Sequence, residues 1–182
     1  SRLIISYNDS FGAASEDIVS VPLTASLATP TVLVTENQLE TELAKIPGYE
    51  NDTADDVNIF DMAVRSNGDI IASHGFSSNR QINGSLLRIT ETGQVYVFRT
   101  GEQIITAAGG DPALVDIGSV NVAALSDDQI LIHVHFSSNN TLLEPFIAVV
   151  SSDGTEQVQL ASQSELAADP NLAGLVPAGQ VL

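Results

Sequence analysis

Cysteine and tryptophan are absent from the chain, methionine occurs once, and lysine occurs once, at Lys45. Without cysteine there is no disulfide framework, no thiolate nucleophile and no thiolate-held zinc or iron–sulfur site. Basic side chains are scarce as well: 6 Lys and Arg stand against 23 Asp and Glu, a formal charge of -17. That balance argues against binding a phosphate backbone, so no nucleic-acid partner is expected, and against adsorption to anionic lipid. No apolar run approaches the roughly 18 residues of a membrane-spanning helix, and residues 1–30 lack the form of a signal peptide. With 5% aromatics, a stacking surface for sugars or bases is thin. The Gly-x-Ser-x-Gly elbow, the phosphate loop and the Gly-x-Gly-x-x-Gly turn are all missing.

What remains is an apolar, globular composition. The 182 residues are 43% apolar, which excludes a disordered acidic tail and suits a single domain burying about 70% of its unfolded surface. The chain opens at Ser1, runs at once into Leu3-Ile4-Ile5 and stops at Val181-Leu182. It therefore reads as a processed product or a fragment with both ends cut inside strands. Glycosylation sequons begin at Asn8, Asn51, Asn83 and Asn139. Acidity, absent cysteine and these sequons together lead us to expect an exported (extracellular or cell-surface) or high-salt setting, with an acidic cytosolic protein as the alternative.

Internal repeats dominate the pattern. Residues 68–79 align with 128–139 at an offset of 60, sharing Phe76-Ser77-Ser78-Asn79 with Phe136-Ser137-Ser138-Asn139. Thr35-Glu36-Asn37-Gln38, Thr100-Gly101-Glu102-Gln103 and Ser162-Gln163-Ser164-Glu165 all read Ser/Thr-x-x-Glu/Gln ahead of Leu39, Ile104 or Leu166. That is a capping box, in which hydroxyl and Glu/Gln side chain each satisfy a backbone N–H at a helix start. It predicts short helices over 36–46, 101–108 and 163–168.

Between these markers lie apolar runs punctuated by turn residues such as Ser66-Asn67-Gly68-Asp69, Thr92-Gly93 and Asp153-Gly154. They predict strands at 57–65, 69–76, 85–91 and 94–99, then at 118–125, 129–136, 145–151 and 156–161. The first unit gives only 2–7, 17–23 and 31–34. The expected organisation is one all-β repeat domain with short helices, in units 1–56, 57–116 and 117–171. Residues 172–182 then supply the strand that the first unit lacks.

Four strands per unit, with tight outer hairpins and a longer central loop, resemble a β-propeller blade. Asn67-Gly68-Asp69-Ile70-Ile71 and Arg88-Ile89-Thr90-Glu91-Thr92-Gly93-Gln94-Val95 resemble blades of the NHL-like group. The resemblance implies three four-stranded antiparallel blades and a ring closed by a strand from the far end of the chain. Closed propellers have 4–8 blades, so three imply a ring completed by a second copy or by the remainder of a longer chain. The rival fold is a β-trefoil, which also has three four-stranded repeats.

Candidate sites follow from that layout. The loops expected on one face carry Asp52, Asp55, Asp56, Asp111 and Asp116, an acidic rim that would take Ca²⁺ through carboxylate oxygens or simply keep the surface solvated. His133 and His135, two apart on one strand, share a face. They suit a metal pair or a proton shuttle, or else pack as hydrogen-bonded strand residues. Asp61 aligns with Asn121 on the innermost strand, where lactonase-like propellers hold a metal and where structural polar pairing is the alternative. The leading expectation is a non-enzymatic exported module for ligand binding, adhesion or assembly. A metal-dependent lactonase or esterase, or a fragment of a larger surface protein, are the alternatives.

Overall fold

The computed structural model describes residues 2–8, 16–22, 29–47, 57–75, 83–137 and 140–169. Three strands, β1 (Arg2–Asn8), β2 (Glu16–Pro22) and β3 (Thr31–Val34), lead into helix α1 (Glu36–Leu43). Four follow: β4 (Ile59–Val64), β5 (Ile70–His74), β6 (Leu86–Ile89) and β7 (Val95–Arg99), then α2 (Gly101–Ala107). Four more, β8 (Ile117–Ala124), β9 (Ile130–Phe136), β10 (Phe146–Val150) and β11 (Gln157–Ser162), lead into α3 (Gln163–Ala168). Each strand lies within two residues of the span expected from turn chemistry, and α1 stops three residues short. Pro47 biases Ile46 out of helical backbone and sets that limit.

The strands form three antiparallel meanders, β1-β2-β3, β4-β5-β6-β7 and β8-β9-β10-β11, called here sheets 1, 2 and 3. None is closed on itself, and the all-β class with short helices holds. The capping boxes of Thr100 and Ser162 close in both directions, and at Thr35 the Gln38 side chain supplies its half. The backbone N–H of Thr35, Thr100 and Ser162 donates to Gln38, Gln103 and Glu165 at 3.0, 2.9 and 2.7 Å. In each unit the helix therefore begins directly after the last strand.

Two cores hold the sheets together. Ile18, Val34, Leu39 and Leu43 from sheet 1 and α1 pack on Ile70, Ala72, Leu87 and Ile89 of sheet 2. The opposite side of sheet 2, with Ile71, Leu86 and Phe98, packs on Val120, Ile132, Val134 and Ala148 of sheet 3. Sheet 2 is thus covered on both faces, which is why every residue of β5 is buried and its sequence shows no polar alternation. Each fully buried Leu or Ile contributes about 1.5–3 kcal/mol.

The outward faces of sheets 1 and 3 are uncovered among the described residues. Leu3, Ile5 and Val32 are exposed on sheet 1, and Val158 and Leu160 on sheet 3. Beside β1, whose second edge has no strand partner among the described residues, lies a cleft of about 380 Å³. It is lined by Arg2, Leu3 and Ile4 and, across it, by Ile59, Asp61 and Met62 of β4. Residues 172–182 lie outside the described residues. Among those described, no helix is long and apolar enough to cross a membrane.

Candidate functional site

The polar candidates gather at the junction of sheets 2 and 3 and on the open face of sheet 3. Asp61 stands on β4 at the junction. Its Oδ2 accepts from the Val122 N–H of β8 at 2.8 Å, and its Oδ1 from the Met62 N–H at 2.8 Å. Its own N–H donates to Ser73 Oγ at 3.1 Å. The carboxylate thus joins two sheets that share no ladder.

Asn121, its counterpart on β8, is exposed. The register places it opposite His133 of β9, and Ser119 opposite His135. On the other side of β9, Ile147 of β10 lies opposite His133. His133 and His135 do share a face, and they touch. Nε2 of His135 and Nδ1 of His133 are 3.3 Å apart, with ring centroids 4.1 Å apart and planes at 61°. Burial pushes the pKa of His133 down, with His135 adding to the effect, and burial alone lowers that of His135. At neutral pH both rings are therefore neutral, one ring nitrogen donating to the other.

The described loop carboxylates, Asp111 and Asp116, bond elsewhere. Asp111 Oδ1 accepts from the Ala113 N–H at 2.9 Å, an Asx turn leading into β8. Asp116 Oδ1 accepts from Asn83 Nδ2 at 3.0 Å, and Asn83 is 5% exposed, so the nitrogen that a glycan would occupy is engaged. Asn8 closes β1. Asn51, Asp52, Asp55, Asp56 and Asn139 lie outside the described residues. Among the described residues, no three or more His, Asp or Glu are grouped to hold a metal ion.

Sequence reasoning missed two residues at the junction. Arg99, nearly buried at the end of β7, donates to the carbonyls of Gly154 and Thr155 at 2.8 and 3.2 Å and to Gln157 Oε1 at 3.2 Å. Its pKa is lowered by burial. Asp128 accepts from the Ser66 N–H at 3.0 Å, linking the first hairpin turns of units two and three. Ser66, through its hydroxyl and its N–H, holds the Asp128 carboxyl below the usual carboxylate range. Backbone acceptors leave no residue signature, so Arg99 had none to find. Asp128 carried one, since it occupies the turn position of Gly68 and shares its positive φ.

Comparison of the chain with protein families, with curated proteins and with solved structures finds no significant match.

Proposed function

We propose that the chain is a β-propeller-type module for binding and assembly at the cell surface or outside the cell, and that its two open faces meet those of a second copy. One relationship carries this reading: each open face corresponds, through the repeat, to a face already covered inside the chain. Ile71 and Leu86, buried under sheet 3, correspond at offsets of 60 and 61 to Leu131 and Ile147 on the open face of sheet 3. Val97, packed beneath sheet 1, corresponds at an offset of 65 to Val32, exposed on the far side of sheet 1. The open face of sheet 3 therefore matches the open face of sheet 1 on another molecule, repeating the internal joins head to tail. Such heterologous contacts close into rings when the rotation allows, and two copies supply six blades, within the range of closed propellers.

In this reading a further strand would complete unit one along the edge of β1, beside the cleft that faces β4. The free edge of β1 and the apolar lining of that cleft support it. Asp61 serves as a joint between blades, which accounts for its position without a hydrolytic role.

Sedimentation or light scattering tests the reading. We expect a dimer that falls to a monomer in the Val158→Asp, Leu160→Asp double variant, with its circular dichroism unchanged. A monomer at all concentrations overturns the second-copy reading.

A further inference from the structure

The paired histidines on the open face of sheet 3 are not part of the blade plan. Their equivalents in unit two are Ser73, fully buried, and Gly75, also buried, where an added Cβ would lie 3.5 Å from Phe60 Cβ. A blade therefore closes with a small residue at each of these positions, and the two imidazoles are an addition that only unit three carries. They are half-buried, in contact, and reachable from the open face.

We propose that His133 and His135 form a two-imidazole clip for a borderline divalent transition-metal ion, Zn²⁺ or Cu²⁺, with Asn121 across the strand pair as a third donor. Metal–imidazole bonds are about 2.0–2.1 Å long, so two nitrogens on one edge of a tetrahedral site stand about 3.3–3.4 Å apart. The Nε2–Nδ1 separation of 3.3 Å, spanned by a hydrogen bond, is close to that spacing. A rotation of each ring turns both lone pairs from one another towards a common point, and the ring that donates in the pair passes that proton through solvent to its other nitrogen, so both imidazoles bind the ion in their neutral form. Residues directly opposite on antiparallel strands have Cβ atoms about 4.5–5.5 Å apart. The Asn121 carbonyl is therefore within reach of an ion held by His133, its register partner. Water fills the remaining positions.

The donor set chooses the ion. Imidazole suits Zn²⁺, Cu²⁺ and Ni²⁺, whereas Ca²⁺ and Mg²⁺ take oxygen ligands. Ca²⁺ thus has no claim on this clip, whatever the loop carboxylates do. The clip stands on one chain and does not rest on the proposed assembly. On a second copy it would lie within the joined faces, where the partner could complete the ion's shell.

Calorimetric titration of the full chain with Zn²⁺, Cu²⁺ and Ca²⁺ tests the proposal. We expect one tight Zn²⁺ site per chain, tighter binding of Cu²⁺ as the Irving–Williams order requires, and no comparable Ca²⁺ site. His133→Ala and His135→Ala should each weaken Zn²⁺ about tenfold or more, with circular dichroism showing the fold intact. Asn121→Ala should weaken it less. The carboxylates of this acidic chain bind Zn²⁺ diffusely, so the His133→Ala, His135→Ala double variant supplies the background. The third histidine, His74, is buried, so imidazole-dependent binding reports the pair. Zn²⁺ binding that is absent, or equal in wild type and double variant, overturns the proposal.

Discussion

The Asp61 carboxylate of β4 accepts the Val122 N–H of β8 at 2.8 Å, a side chain standing in for the ladder bond that sheets 2 and 3 cannot make. Removing an acceptor from a partly buried N–H costs the desolvation of that group, about 1–3 kcal/mol. Asp61→Ala should therefore destabilise the chain by that amount in urea unfolding, at an unchanged m-value. Asp61→Asn keeps one carbonyl acceptor and should lose less than half as much. Equal losses would mean that the charge, not the contact, supplies the stability.

The second hairpin turn of each later unit presses on the last strand of the unit before it. A Cβ built on Gly93 would lie 2.2 Å from the Leu33 carbonyl oxygen, and one on Gly154 would lie 2.3 Å from that of Phe98. Both glycines also have φ near +80°, so strain and clash add. Gly93→Ala and Gly154→Ala should each cost about 3 kcal/mol or more. Gly109→Ala has open space around it and should cost only about 1–2 kcal/mol. Melting temperatures of the three variants check this, and a Gly109 effect as large as the others would remove the joint from the account.

Arg99 bonds to backbone carbonyls of the next unit and has no carboxylate among these partners. Its fork of donors is what those acceptors use, and a single ammonium cannot span them. Arg99→Lys should lose about 1–3 kcal/mol, nearly as much as Arg99→Met, and chemical denaturation measures both. Full retention of stability by the lysine variant would show that only charge is needed.

These joints mark the limit of what the chain shows on its face. The capping box of Thr100 and Gln103 is legible because both partners lie within four residues. The turn at Asn67-Gly68 is legible because glycine answers a local backbone demand. Pairing of His133 and His135 follows half-way: strand periodicity puts them on one face, but their contact depends on side-chain rotamers. The Asp61–Val122 bond spans 61 residues and ends on a backbone atom, so nothing in the sequence names Val122. Aligning Asp61 with Asn121 found the right column and missed the partner, because a repeat shows what recurs and not what touches.

Asp153 gives a pH-dependent test. Bonds from the Ser151 hydroxyl, and from the N–H and hydroxyl of Thr155, lower its pKa from 3.8 to about 2. All three favour the ionised carboxylate, so the turn's stabilisation is present above the unfolded value and is lost as pH falls through the folded one. Carboxyl chemical shifts should titrate with a midpoint near 2, and the Thr155 amide should follow. In Ser151→Ala the midpoint should rise towards the unfolded value. A wild-type midpoint near 3.8 would mean the turn does not hold the carboxylate.

Charge sets the conditions under which copies could meet. Each chain carries -17, so two copies repel, while the faces proposed to join present Leu3, Ile5, Val32, Val158 and Leu160. Salt shortens the screening length from about 10 Å at 0.1 M to about 3 Å at 1 M and leaves apolar burial intact. Association should therefore strengthen with sodium chloride over that range, the reverse of an interface built on ion pairs. Sedimentation velocity across a salt series measures it. Weakening with salt would place the contact on charged loops rather than on the sheet faces, because only opposite charges lose attraction when screened.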